Sequence, residues 1–454
     1  MSEQEPAWGI EPVPERLRVL GLVDQLLLWG NLSVSLLVIV AGALVVPALS
    51  LPYALLAIVV ASVSGCALLG VAAAIGADGR VPAMVLLRSP LGRKGSWLPT
   101  GLNVIQCLGW GIFELLIIAT AASALSDQLF GWRGKPVWTV LFGAVALALA
   151  FLGPVGFVRR YVRKVAIWAV AASLGYLTWW AVDKSHLHAF WHAKGKGGFP
   201  SFWAGVDLLL ASVISWTPLA ADYSRFSRTR RAAFWGAGIG YLVPAIWLFG
   251  LGALLLLARN ISDAAAIPAA VAAGGVVSVL ALVALTVDES DEAFANVYSG
   301  AVSLQNLLPR VPQRLLVTVV TVVATVGALV IDLGNYMTFL FLLGSFFVPL
   351  FGVQLADWLL HRARYVRADF FEGPAVRVEQ IAAWLAGFAL YQYLLPQGPR
   401  WWLDLIGHTA GPVDFTASLP SFAAAFGIAL VAGIVGRWVR GARATRPGGL
   451  HSAA

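Results

Sequence analysis

Trp110 and Glu114 stand four residues apart with apolar or small residues on both sides. On a helix this spacing gives one face a large aromatic ring with a carboxylate one turn along. A flat ligand that stacks on the indole and donates N–H bonds to the carboxylate suits the pair. A second polar group, Asp288, Glu289, Ser290, Asp291, Glu292 and Asn296, follows the apolar run 269–287. Helical spacing puts Asp288, Glu292, Asn296 and Ser299 on one face, with Ser290 and Asp291 beside it. Hard oxygen ligands of this kind suit a small cation, and a carboxylate among them could instead carry a proton. The run 269–287 could cross a bilayer by itself, which would leave the acids in a cytoplasmic amphipathic segment. If residues 264–273 instead form an extracellular lid and the span begins near Val276, the acids line a cavity. Residue spacing leaves both readings open.

Other chemistries find less support. His186, His188 and His192 form an HxHxxxH run, but no acid or cysteine lies close by as a fourth zinc ligand, so a solvated loop is expected. Cys66 and Cys107 lie in apolar stretches, which excludes a disulfide framework and a four-cysteine metal site. There is no HExxH, nucleophile elbow or cofactor loop, so the chain is not expected to be an enzyme and no cofactor is expected.

The elements that hold these residues follow from composition. Of 454 residues, 59% are hydrophobic and 12% charged, against roughly 25% charged in a soluble domain. Mean hydropathy is +0.80, so the apolar excess must face lipid. Apolar stretches are centred near Leu37, Ala61, Ile112, Ala146, Ala171, Leu210, Trp247, Leu280, Val322, Phe341, Ala386 and Ile428, twelve in all. The polar start, with acids and prolines before Arg18, lacks the basic beginning and apolar core of a cleavable signal. With a cytoplasmic N-terminus, 24 of the 31 Lys and Arg residues fall inside and 7 outside, as the positive-inside rule requires. The net charge of +8 is therefore a matter of membrane orientation and not of nucleic-acid binding. Tryptophans such as Trp132, Trp138, Trp203, Trp401 and Trp402 sit near span ends as interfacial anchors.

Two spans carry breakers at depth. The first contains Trp29, Gly30, Asn31, Leu32 and Ser33, and the sixth Ser215, Trp216, Thr217 and Pro218. Pro218 has no N–H, which leaves the carbonyl of Ile214 without its helical partner. Broken helices in corresponding positions of two five-helix halves point to an inverted-repeat secondary transporter with its ligand at the breaks. The competing reading makes Gly30 a packing glycine and Pro218 a simple kink.

On these residues the chain resembles the nucleobase:cation symporter-1 family, the purine, cytosine, allantoin and hydantoin permeases. The resemblance rests on five stretches: Ile10-Glu11-Pro12-Val13-Pro14-Glu15-Arg16; Trp29-Gly30-Asn31-Leu32-Ser33 leading to Ala41-Gly42; Gly76 to Gly95 with Arg88 and Gly92; Leu108-Gly109-Trp110-Gly111; and Pro218-Leu219-Ala220-Ala221-Asp222-Tyr223-Ser224-Arg225. It implies an all-α polytopic membrane protein of twelve transmembrane helices, with a LeuT-type five-plus-five inverted repeat and two C-terminal helices. The implied boundaries are a cytoplasmic segment 1–20, a first repeat 21–182, an extracellular loop 183–200, a second repeat 201–356, two further helices in 357–440 and a basic tail 441–454.

The resemblance also implies import of a planar nitrogen heterocycle with Na+ or H+ by alternating access. Substrate would be held by Trp110, Glu114, Trp216, Ser215, Asn296, Gly30 and Asn31, with Trp216 as the second stacking ring. The cation or proton would sit at Ser290 and Asp291, with Ser33 and Asp288, and Asp222 and Arg225 would gate or cap the end of span six. In the family the position four residues after the tryptophan is commonly a glutamine. A carboxylate there only accepts, which favours rings with adjacent donors, such as an aminopyrimidine or a guanine-like edge. Matching the family's span-eight asparagine to Asn296 favours the cavity reading of the acids, and the acid at 291 favours a proton over sodium. The partners expected are a small-molecule substrate and the lipid bilayer of the plasma membrane, with both termini cytoplasmic, no nucleic acid and the chain as a monomer. The rivals are an amino-acid or amine transporter on the same fold, a membrane-embedded enzyme and a channel.

Overall fold

The computed structural model describes residues 9–151, 167–183, 187–332, 336–407 and 414–444. The basic cluster 159–164 and His186 lie outside the described residues, as does the side chain of Asp291. The described chain is helical, with one isolated bridge between Leu20 and Ser227.

The first broken element is α1 (Leu22–Asn31) followed by α2 (Leu36–Ala43), bent by 61°. Then come α3 (Leu51–Gly79), the short α4 (Ala83–Leu86), α5 (Trp97–Phe130), α6 (Lys135–Ala150) and α7 (Ile167–Val182). The second broken element is α8 (Phe202–Ile214) with α9 (Thr217–Ser224), followed by α10 (Arg230–Ala258). A short α11 (Ile267–Ala272) precedes α12 (Val276–Asp288) and α13 (Ser290–Leu307), after which α14 (Gln313–Val330), α15 (Tyr336–Leu360), α16 (Val378–Leu394) and α17 (Ser418–Ala444) complete the bundle.

Each of the twelve expected span centres falls inside one of these helices. Among the described residues seven spans are long and apolar enough to cross a membrane, with α8 and α9 together counted as one, and the bent pair α1 with α2 makes an eighth. The remaining four positions are α6 and α7 at 16 residues each, α16 at 17, and the pair α12–α13 interrupted at Glu289. At 1.5 Å per residue, α6 and α16 fall below a hydrocarbon core of about 30 Å, while α7 is described only from Ile167 onward.

Helix packing depends on small residues, as it must where lipid is as apolar as the side chains. Helix α10 packs against α3, α1 and α2. A Cβ on Gly42 would lie 2.1 Å from the carbonyl oxygen of Phe249, and one on Gly252 would lie 1.8 Å from that of Ile39. Only glycine lets these two backbones approach so closely. Gly30 belongs to the same contact. It lies within the unbroken α1 and faces the carbonyl of Gly240, where a Cβ would sit 3.4 Å away.

Candidate functional site

The break in the first span lies at residues 32–35, overlapping the expected Trp29 to Ser33 at Leu32 and Ser33, because α1 continues through Gly30 to Asn31. Ser35 caps α2 by accepting from the N–H of Leu37 at 3.0 Å. Its hydroxyl donates to Glu289 Oε1 at 2.6 Å, and the N–H of Leu36 donates to Glu289 Oε2 at 2.6 Å. The Glu289 carboxyl is also hydrogen-bonded to that of Glu114. A carboxylate from span eight therefore closes the positive end of the α2 half-helix.

The break in the sixth span is closed by neutral groups. The carbonyl of Ile214, orphaned by Pro218, accepts from Thr217 Oγ1 at 2.8 Å, and the carbonyl of Ser215 accepts from Gln106 Nε2 at 2.7 Å. The Ser215 hydroxyl turns back to donate to the carbonyl of Ser212 at 2.7 Å.

Between the two breaks lies a small, tightly lined cavity. Five of the expected substrate residues line it: Trp110, Glu114, Ser215, Trp216 and Asn296. Trp110 meets Tyr336 and Phe339 edge-on at 5.9 and 5.4 Å, which fixes its plane, and its Nε1–H has no hydrogen-bond partner. Trp216 donates to the Tyr241 hydroxyl at 3.1 Å and meets Trp29 edge-on at 5.8 Å. Asn296 Nδ2 donates to the carbonyl of Glu292 at 3.1 Å, which leaves its amide oxygen to face a ligand. Glu292 lines the same cavity with Oε1 lacking a partner.

The other expected residues fall elsewhere. Gly30 packs on α10, and neither Asn31 nor the buried Asp288 lines the cavity. Ser33 donates to the carbonyl of Tyr241 at 2.9 Å and does not meet Ser290. Ser290 is buried at the start of α13. The acids of span eight are buried inside the protein, with Asp288, Glu289 and Glu292 at 3% exposure or less, so the cytoplasmic-segment reading is set aside. Residues 264–272 form the short helical segment expected to cover the cavity. Asp222 accepts from the N–H of Ala83 at the start of α4 at 2.9 Å, and Arg225 donates to the carbonyl of Gly9 at 3.0 Å and to the Tyr298 hydroxyl at 3.3 Å. Both are fully buried, and these bonds tie loops at that end of the bundle. His188 and His192 sit exposed on one helical turn, and no three potential ligands gather for a metal among the described residues.

Sequence reasoning missed Glu289, Ser35 and Gln106. The helical projection through residues 288–299 ran straight across a break at Glu289, which turns that side chain toward Glu114 instead of beside it. Ser35 and Gln106 carried no signal of their own, since each matters through a partner far along the chain.

Residues 12–395 match the family of permeases for cytosine and purines, uracil, thiamine and allantoin. The hydantoin permease of Microbacterium maritypicum is 27% identical over 305 residues, 62% of this chain and 61% of that protein. The cytosine permease of Escherichia coli strain K12 is 26% identical over 297 residues, 64% of this chain and 66% of that one. The matched stretch thus spans less than two thirds of either relative. The solved structure of Mhp1, a nucleobase-cation-symport-1 family transporter in a closed conformation with bromovinylhydantoin bound, superposes with a TM-score of 0.77 at 21% identity and covers 95% of each chain. That superposition establishes the all-helical LeuT-type fold.

Proposed function

The chain belongs to the nucleobase:cation symporter-1 family, and we propose on that footing that it is a secondary transporter importing a planar nitrogen heterocycle by cation symport with alternating access. The observation that carries this reading is the cavity between the two helix breaks, lined by two indoles, two carboxyls and an amide. Trp110 and Trp216 stack on the ring, Glu114 reads adjacent ring donors, and Asn296 bonds a ring edge. Cytosine, an aminopyrimidine precursor or a purine matches the chemistry of such a lining. Relatives named for cytosine and hydantoin support the heterocycle class. The coupling ion is Na+ or H+, the two five-helix halves span 21–182 and 201–356, and the monomer works in the plasma membrane with both termini inside.

The amino-acid rival would need the first helix break to grip a substrate carboxylate. Here Glu289 already takes the Ser35 hydroxyl and the Leu36 N–H, which argues against it. A thermal-shift screen of cytosine, adenine, hydantoin and leucine, followed by proteoliposome uptake under imposed Na+ or H+ gradients, tests the reading. Stabilisation by a heterocycle and gradient-driven uptake are expected. Stabilisation by leucine alone, or uptake indifferent to both gradients, refutes it. Glu114→Gln is expected to shift preference toward oxo-only rings.

A further inference from the structure

Four acids, Glu114, Asp288, Glu289 and Glu292, are buried, each 3% exposed or less. No Lys, Arg or His lines the cavity among the described residues. The groups that face Glu289 are Glu114 from α5, the Ser35 hydroxyl and Leu36 N–H from the first break, Asp288 and Glu292 from its own span, and Tyr336 of α15 at longer range. Tyr241 of α10 faces Glu114 and Glu292.

Two ionised carboxylates are acceptors only, so a hydrogen bond between carboxyl groups requires one proton held between them. Two buried carboxyls brought this close, with no basic side chain lining the cavity among the described residues, therefore call for one proton between them. Both Glu289 oxygens also accept from the α2 terminus, so the proton-holding group is at once the clasp of the bent first span. Glu292 Oε1, buried in the same cavity without a partner, is an acceptor aimed at whatever donor enters.

We propose that the Glu114–Glu289 pair binds the coupling proton and joins substrate reading to the hinge of the first span. A heterocycle that presents ring N–H donors to Glu114 replaces Glu289 as its partner. The proton stays on Glu289, with Glu292 Oε1 as its next acceptor, while Glu114 remains an ionised acceptor for the ring. When the hinge opens to the other side, the proton leaves Glu289 to water there, the ring departs, and the pair is restored by a proton from the first side. One proton crosses with each substrate and no covalent bond changes.

The proposal rests on the symporter reading for its transport step but not for the shared proton, so two measurements separate them. Infrared difference spectra of the purified full-length protein, taken on a pH jump, are expected to show a carboxylic-acid band that both Glu114→Gln and Glu289→Gln abolish, with the double variant losing nothing further. Separate bands lost additively would overturn the proposal, and if one variant misfolds, the other alone against wild type still reads the pair. In proteoliposomes a pH gradient is expected to drive cytosine uptake, and Glu289→Gln to lose that response while cytosine counterflow suffers far less. Uptake driven by Na+ and indifferent to pH overturns proton coupling and leaves the symporter standing. If cytosine, adenine and hydantoin all fail to bind or exchange, the functional reading falls, and the infrared result alone decides whether the proton is shared.

Discussion

The two helix breaks face the same cavity and are closed by different chemistry. At the first, the donors of α2 meet a carboxyl from span eight, itself bonded to the carboxyl of Glu114. At the second, a threonine hydroxyl and a glutamine amide satisfy the carbonyls of Ile214 and Ser215. The neutral closure is independent of protonation and of ligand, so it behaves as scaffold. The acidic closure strengthens or weakens with the charge on Glu289, because an anion at a half-helix N-terminus gains from the aligned peptide dipoles. A transporter of this fold needs one part that holds and one that yields, and the distribution of ionisable groups separates the two.

The contrast can be broken by substitution. Glu289→Ala leaves the Ser35 hydroxyl and the Leu36 N–H buried without an acceptor, and should lower stability in detergent by about 3 kcal/mol and abolish uptake; a loss no greater than at the sixth-span break would erase the distinction. Gln106→Leu strips one neutral donor from the Ser215 carbonyl, with an expected cost of about 1.5 kcal/mol. Its pH profile of uptake should match wild type, and a displaced profile would show that the sixth-span break also senses charge. Trp110→Ala removes a stacking face supported by neither break, and should weaken cytosine binding by about 1 kcal/mol, read by titration calorimetry, with stability changed little by comparison. Thr217→Val is the mildest, about 0.5 kcal/mol in melting experiments, since the Ile214 carbonyl can relax toward neighbouring donors.

Much of the site was legible because its signals are local. Trp110 with Glu114, and Trp216 with Ser215, lie within one or two turns of each other, and a carboxylate or proline in an apolar run stands out by its cost alone. The reading of Pro218 went as far as the orphaned Ile214 carbonyl, and the answering Thr217 hydroxyl was the residue next to it. The first break begins two residues later than Gly30 and includes the expected Leu32 and Ser33, because Gly30, a helix breaker in water, serves in this bundle as the contact point for Gly240. Asn31, Ser33 and Asp288 were expected at the substrate or cation site, whereas none of them lines the cavity and Ser33 donates to the carbonyl of Tyr241.

Residue order by itself determined that this chain crosses a membrane in repeated apolar spans, that two of them break, and that an aromatic and an acid share one helical face. Those features depend on periodicity and on the cost of polar groups in lipid, both properties of short windows. Which group closes each break was decided only in three dimensions. Leu36 and Glu289 are 253 residues apart, and Gln106 and Ser215 are 109 apart. A buried donor takes whichever acceptor the packing of distant helices brings within reach, and no pattern along the chain specifies that approach.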